Sequence, residues 1–433
     1  MRVGKSLGNR NIRRYLIGVS LSHLGLWMET TAVLWLLLEL TGSGTALGIH
    51  SVVRFGPMLL FGAHGGLLTD RMERLKLLKI TQSLHAVSAV VLLVVVLQPD
   101  PSVIVIYLLG FAHGCINAVD NPLRRGFIRD LSRDDELANA VALNSTVGTI
   151  NRTVGPALGG MTIATFGLVW CFAANALSYA AVLIALSLID RSTLRPPHLA
   201  PPGRGQVRAA YRYAWEDEHI WRTLVVVAVV GTFAWNYGVL MPVYATATMG
   251  GDAALYGLML STVGVGSFVG ALLTARSRGA HDLRMYRALI VIVGALSLIA
   301  VAPGILVACI ALFLLGGAGT SVVISSQTYL QLRVHDQMSG RVMALFSVAF
   351  LGSKPLGGAL GGWLIDVSGP RLGFGAGAAI VAAIGGWAAF SAQRSNTRRT
   401  AAAGSVVQTE RTASNSVRAR GIDRTTDVTD GAS

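Results

Sequence analysis

Apolar residues run through this chain in long blocks, cut apart by short breaks rich in glycine, proline and polar residues. A helix needs about 20 predominantly apolar residues to cross the hydrocarbon core of a bilayer. By that measure the pattern predicts twelve spanning helices, at about 14–40, 47–68, 79–98, 102–122, 138–163, 166–189, 221–248, 254–275, 285–302, 304–327, 341–365 and 371–392. Turn residues separate them, as in Thr41-Gly42-Ser43-Gly44, Gln98-Pro99-Asp100-Pro101, Gly250-Gly251-Asp252, Pro303-Gly304 and Gly369-Pro370. The run after the basic segment Met1–Tyr15 is too long for a secretory leader and reads as the first spanning helix.

Two of the blocks repeat one another at a constant offset of 202 positions, from Arg152 to Lys354. Ala142-Leu143-Asn144-Ser145 falls on Ala344-Leu345-Phe346-Ser347, Ala157-Leu158-Gly159-Gly160 on Ala359-Leu360-Gly361-Gly362, and Gly167 on Gly369. A register held that far, basic residue on basic residue, reads as internal duplication. The fold class is therefore an all-α membrane protein, with twelve transmembrane helices in two pseudo-symmetric six-helix bundles. The bundles occupy 14–189 and 221–392, after an N-terminal segment 1–13. The loop 190–220, with Pro196-Pro197 and Pro201-Pro202-Gly203, links them, and 393–433, rich in Ser, Thr, Arg and Gly, is expected to be a disordered tail.

Composition agrees. Of 433 residues, 52% are hydrophobic and only 13% charged, against roughly a quarter charged in soluble domains. The net charge of +14 would suggest nucleic acid in a soluble protein. Here 32 of the 36 Lys and Arg fall before the first helix, in alternate loops and in the tail, while the other loops hold only Arg371. By the positive-inside rule both termini and the linker are expected on the cytoplasmic side of the inner or plasma membrane, with no nucleic-acid partner. Cys115, Cys171 and Cys309 lie far apart in apolar segments and read as small core residues. No phosphate loop, H-E-x-x-H metal motif or C-x-x-C pair occurs. An enzyme, a metal site and a bound cofactor are therefore not expected, and energy must come from an ion gradient or the substrate's own.

The loop after the second helix reads Gly66-Leu67-Leu68-Thr69-Asp70-Arg71-Met72-Glu73-Arg74. It resembles the signature G-x-L-x-D-R-x-G-R of the major facilitator superfamily, with Glu73 where that pattern has glycine. The second-half counterpart keeps Gly270, Leu272 and Arg278 but has Thr274 in place of the acid. Asp120-Asn121-Pro122-Leu123-Arg124, Leu137-Ala138-Asn139-Ala140 and Leu330-Gln331-Leu332-Arg333-Val334 are similar to stretches of its bacterial drug, macrolide and siderophore exporters, those related to the enterobactin exporter. Gly155-Pro156-x-x-Gly159-Gly160 on the fifth helix is similar to the motif of the superfamily's antiporters.

The resemblance implies a cytoplasmic gate of Gly66, Asp70, Arg71, Arg74 and Asp120, with Asp70 at the N-terminus of the eleventh helix and Arg74 paired to Asp120. The alternative is a solvated salt bridge worth little. Glu29 shares a small, polar helix face with Gly18, Ser22, Gly25 and Ala32. It is the candidate proton carrier, coupled to Arg152, or else a static ion pair with Arg152 or a satisfied buried polar group. Arg152 and Lys354 are mid-membrane cations, each costing about 2.5–3.5 kcal/mol or more at the bilayer centre. They suit an anionic or catecholate-like substrate, or serve as packing plus a structural pair. Asn144, Asn151, Trp235, Asn236 and Tyr237 complete the candidate substrate cavity, and Arg54, close to Pro57, is a candidate outer-gate residue. Gly155, Pro156, Gly159, Gly160, Gly361 and Gly362 are candidates for helix packing or hinging. His23, His64, His85 and His113 share no spacing and are assigned no role.

These residues lead to one expectation: a monomeric secondary active transporter that exports a drug-like or siderophore-like small molecule through the lipid bilayer by proton-coupled alternating access. Metabolite uptake or facilitated diffusion by the same fold is the first rival, and a membrane receptor or scaffold without transport is the second.

Overall fold

The computed structural model describes residues 5–69, 72–195, 212–277, 281–334 and 336–422. Every regular element among them is a helix. A short 3₁₀ turn, Lys5–Gly8, leads into α1, Arg10–Thr41. It is followed by α2, Gly44–Thr69, α3, Arg74–Val96, α4, Val103–Leu131, α5, Asp134–Phe166, and α6, Leu168–Ser187. The second half contains α7, Glu218–Thr248, α8, Ala253–Arg276, α9, His281–Val301, and α10, Ile305–Arg333. α11 comprises Asp336–Leu351 and 353–368, and α12 is 370–422, divided from α11 at Gly369.

Local chemistry sets these ends. The Asn9 side chain accepts from the backbone N–H groups of Asn11 and Ile12, two donors that the first turn of α1 leaves without partners. At the other end Gly42 takes a left-handed φ of 63°, which stops α1 and lets α2 begin at once. Gly369, at φ 81°, makes the corresponding stop between α11 and α12. Pro355 cannot donate to the carbonyl of Leu351, and α11 breaks there, at Gly352. α7 breaks at Trp235–Asn236, and Asn236 Nδ2 donates to the Lys354 carbonyl at 3.0 Å, so the two interruptions face each other.

By length and composition ten stretches qualify as membrane crossings among the described residues. α5 falls outside that number because it carries Asn139, Asn144, Asn151 and Arg152. The 50-residue stretch Val342–Ser391 holds two crossings, since Gly369 divides it. Twelve crossings result. Leu177, Ile290 and Leu306 are more than 70% exposed, as befits side chains that face lipid tails.

Two expectations from the sequence are corrected here. α4 continues through Pro122 to Leu131, because Leu123, Phe127, Ile128 and Leu131 are buried against α1 and α3 and outweigh the single hydrogen bond that Pro122 forgoes. The segment read as a disordered tail begins inside α12, whose backbone is helical to Ile422 through the alanine-containing run 400–403. Within the linker, Arg191–Thr193 forms a 3₁₀ turn, while 196–211 lies outside the described residues.

In the first half α1 packs on α5 and α6, α2 on α4, and α3 on α4 and α6. In the second, α8 packs on α10 as α2 does on α4, which is what duplication requires. Each half has an apolar cluster at the end that carries the basic loops: Tyr15, Leu78, Leu123, Phe127 and Leu186 in one, Ile220, Leu330, Leu345 and Phe346 in the other. We refer to that end as basic and to the opposite one as charge-poor.

Candidate functional site

The two halves meet through α5 against α8 and α2 against α11, and both contacts depend on glycine. A Cβ on Gly160 would lie 2.7 Å from the Gly257 Cα, and one on Gly257 equally close to the Pro156 carbonyl. On the other side Gly44 and Gly48 meet Gly362 and Gly358. With no hydrophobic force separating helix from lipid, such close approach is what lets the backbones attract. Gly160, Pro156 and Gly362 therefore lie between the halves. Gly155 and Gly159 instead pack on Trp27 and Met28 of α1, and Gly361 on Leu240 of α7, each within its own half.

These contacts run toward the charge-poor end, where a latch that the sequence reading missed closes them. Asp366, near the end of α11, accepts from Ser43 Oγ at 2.6 Å, Gly44 N at 2.6 Å and Thr45 N at 2.9 Å. One carboxylate thus caps the N-terminus of a helix from the opposite half, where its charge meets the positive end of the helix dipole. The signal legible in the sequence was an acid in a nearly charge-free set of loops.

Between the halves, toward mid-membrane, the break in α7 presents Trp235 and Tyr237 to α5. The Arg152 guanidinium lies over the Trp235 ring, 5.3 Å from its centre, and interacts electrostatically with Tyr237. Lys354 Nζ lies 4.6 Å from the centre of the Phe55 ring, and Arg152 and Arg54 both repel it. Trp235 is held edge-on by Phe350, at 5.5 Å. Arg152, Trp235, Tyr237, Phe55 and Lys354 are all half-buried. The result is a pair of cations on opposite halves, each set against an aromatic face. Asn144 lies two turns nearer the basic end of α5 and is also half-buried.

Other candidates are placed differently from the sequence reading. Asn151 is buried in the α1–α5 contact, where its amide donates to the Ser20 carbonyl at 3.0 Å, so it is not grouped with Arg152 and Trp235. Asn236 is also buried, its amide committed to the Lys354 carbonyl. Glu29 is buried and accepts from Asn175 Nδ2, and the cation whose field acts on it is Arg54, not Arg152. Arg54 is not near the charge-poor surface: ten residues past Gly44, at 1.5 Å per residue, it lies about 15 Å into α2. There its guanidinium donates to Thr30 Oγ1 at 3.2 Å.

At the basic end, Arg74 pairs with Asp130 at 2.7 Å, not with Asp120. Asp120 lies ten residues earlier on α4, about 15 Å deeper. There it accepts from Thr81 Oγ1 (2.7 Å), Gln82 Nε2 (2.8 Å) and Arg124 Nε (2.5 Å). It is thus bonded within the first half, and the expected pair with Arg74 is not formed. Asp70 and Arg71 lie outside the described residues, and Gly66 falls within the helical backbone of α2. Among the described residues no cluster of His, Cys, Asp and Glu is arranged to hold a metal.

A twelve-helix membrane protein of two pseudo-symmetric halves, with two cations set against aromatic rings where the halves meet, has the architecture of the membrane transporters. Residues 7–410 match the family described as transmembrane secretion effector, and the chain belongs to that family, within the major facilitator superfamily. It is 26% identical over 355 residues to the staphyloferrin A transporter of Staphylococcus aureus, covering 81% of this chain and 88% of that one. It is 27% identical over 357 residues to the enterobactin exporter EntS of Salmonella typhimurium, covering 82% and 84%. Among solved structures, the nucleoside transporter NupG aligns over 87% of this chain and 98% of its own, with a TM-score of 0.72 at 12% identity. The human organic anion transporter MFSD10 aligns over 87% and 99%, with a TM-score of 0.62 at 16% identity. Those two likenesses concern the fold alone.

Proposed function

We propose that this transporter exports an anionic, siderophore-like small molecule from the bacterial cytoplasm, by alternating access coupled to the proton gradient. The observation that carries the reading is the pair Arg152 and Lys354. Neither has an acidic partner at ion-pair distance among the described residues, and each stands against an aromatic ring. Charges at this depth are expensive to keep, and two unneutralised cations facing one space suit a multiply charged anion. Trp235, Tyr237 and Phe55 offer flat faces to an aromatic or carbon-rich chelator. The named siderophore transporters among the relatives support the same substrate class.

The charge bias of the loops supports a cytoplasmic position for the basic end. The Asp366 latch then holds the outer side shut while substrate enters from within, and rocking of the halves about the Gly160–Gly257 and Gly44–Gly362 contacts opens it. Glu29 is the proposed proton carrier, and a single chain suffices for the cycle. Everted membrane vesicles provide the test. Accumulation of an iron-free catecholate chelator should depend on the proton gradient and disappear in Glu29→Gln. Equal, gradient-independent flux in both proteins would indicate facilitated diffusion, and binding without counterflow would indicate a receptor.

A further inference from the structure

Both cation–aromatic contacts cross between the halves, in opposite senses. Arg152 of α5 lies over Trp235 of α7, and Lys354 of α11 lies over Phe55 of α2. The residue between Trp235 and Tyr237 is Asn236, and its side-chain amide donates to the backbone carbonyl of Lys354 itself, at 3.0 Å. A carbonyl only accepts, so the nitrogen of that amide, and not its oxygen, must face it. One hydrogen bond therefore ties the ring under one cation to the backbone that carries the other.

The chain around this bond makes room for it. Asn236 sits in the interruption of α7, at φ −98° and ψ 18°, and Lys354 follows the interruption of α11 at Gly352. A Cβ on Gly357 would come within 2.5 Å of Asn236 Nδ2, and one on Gly358 within 2.6 Å of Ser51 Oγ. Two consecutive glycines one turn past Lys354 thus admit a donor on each side, since Ser51 of α2 donates to the same carbonyl at 3.3 Å from the opposite half. α7 and α11 also meet where Phe350 stands edge-on to Trp235, at 5.5 Å, and where Ser353 packs on Gly231. Asn236 is only 7% exposed, so water does not compete for its bond.

We propose that Asn236 is a positioning residue for the substrate cations: it sets the spacing of Lys354 from Arg152, and with it the multiply charged anion that engages both. The inference rests on the two-cation substrate reading above. A lysine stem is long and flexible, so an anchored backbone and the Phe55 face are what hold its ammonium in one place before substrate arrives. An anion then meets two charges already in register, with little left to order on binding. Without the bond Lys354 keeps its charge but not its distance from Arg152. Asn236 itself stays out of contact with the anion and acts through Lys354. Asn236 and Lys354 belong to one half, so their bond persists as the halves rock, whereas Ser51 lets go when α2 parts from α11.

The test has one arm without substrate and one with it, both on the full chain in lipid nanodiscs. Lys5, Lys76, Lys79 and Lys354 are the lysines of the chain, so the magnetic resonance signal of isotope-labelled Lys354 is identified by its loss in Lys354→Arg. In the wild type the Phe55 ring should shift the Lys354 ε-methylene protons away from those of the other lysines, and Phe55→Leu should remove that shift. A wild-type Lys354 signal that coincides with the others would overturn the positioning with no change made at Asn236. Asn236→Leu keeps the bulk and loses the donor, and Asn236→Ala loses both; in whichever of them folds, the signal should move toward the other lysines. An unmoved signal would overturn the inference. Binding of an iron-free tris-catecholate chelator is then measured in wild type, Lys354→Gln, Asn236→Leu and the double variant. Each single substitution should weaken binding at least tenfold, and the double variant should lie within about twofold of Lys354→Gln, because Asn236 acts only through Lys354. Losses that multiply would show a general structural role and overturn the inference, as would wild-type affinity in Asn236→Leu. If the wild type binds no chelator while the Lys354 signal moves as expected, the substrate reading fails and the positioning of Lys354 stands. If Lys354→Gln weakens binding and Asn236→Leu does not, the substrate reading stands and the role of Asn236 fails.

Discussion

Replacing Asp366 with alanine removes three hydrogen bonds that join the halves, from Ser43 Oγ, Gly44 N and Thr45 N. In a dry site such bonds to a charged group would be worth about 1.5–3 kcal/mol each, but Asp366 itself is exposed, and water replaces much of what is lost. The better yardstick is the loss of a helix N-cap, about 0.5–2 kcal/mol. Taking about 1.4 kcal/mol, the closed arrangement of the charge-poor end loses tenfold against the open one. Pulsed electron paramagnetic resonance reads this directly. Spin labels at Thr41→Cys and Val367→Cys, both at exposed positions, would be placed in a background with Cys115, Cys171 and Cys309 replaced by serine. Asp366→Ala should move population from the short-distance peak to a longer one, and Ser43→Ala should do so more weakly. Identical distance distributions in wild type and Asp366→Ala would refute the latch.

Other consequences follow from the packing and the charge pairs. Arg74 and Asp130 are both largely buried and 2.7 Å apart, so in a thermal-stability cycle of Arg74→Ala, Asp130→Ala and the double variant they should couple by about 1–3 kcal/mol. Additive losses would show that the pair contributes nothing. Gly257→Val puts side-chain atoms into the Pro156 carbonyl and Gly160, and should abolish transport while leaving expression near normal. Wild-type flux would show that α5 and α8 do not stay in contact during the cycle. Asp217 caps α7 and bonds Arg333 at 3.0 Å. Burial pushes its carboxyl up, but Arg333 and the amides of His219 and Ile220 outweigh that and hold it below the usual carboxylate range. A carboxyl lowered by folding stabilises above its unfolded pKa and loses that stabilisation as pH falls through its folded value. Asp217→Asn should therefore lower thermal stability by about 1 kcal/mol at neutral pH and progressively less in acid. A deficit independent of pH would argue against the charge.

The twelve crossings were legible because a bilayer imposes one demand on every helix, about 20 apolar residues, and the duplication doubled the signal around Arg152 and Lys354. Depth was legible for Arg152, Lys354 and Glu29, which all lie well inside their helices, but not for Arg54 or Asp120, which lie about 15 Å deeper than the gate positions expected of them. Azimuth was not. Which neighbour Glu29 faces depends on how α1 is rotated against α2 and α6, and that rotation is set by contacts such as Gly25 on Asn175 and Ser178, distant in sequence. Hence the sequence pattern points Glu29 at Arg152, whereas the fold sets it against Asn175 and Arg54. The meeting of His50, His85 and His113 around one cavity of the first half escapes for the same reason, since no spacing links residues on different helices. Asp120 reads as lying at a helix end because the fourth span is drawn to Pro122, whereas α4 continues nine residues beyond it, to Leu131.

If Arg152 and Lys354 together bind an anion between the halves, substrate affinity must depend on both charges. Equilibrium binding of an iron-free catecholate chelator to the purified transporter measures that dependence, with Arg152→Gln, Lys354→Gln and the double variant for comparison. Saturable binding by the wild type, weakened at least tenfold by each substitution and undetectable in the double variant, is the predicted result. Equal affinity in all four proteins, or a wild type that prefers an uncharged analogue, would contradict it.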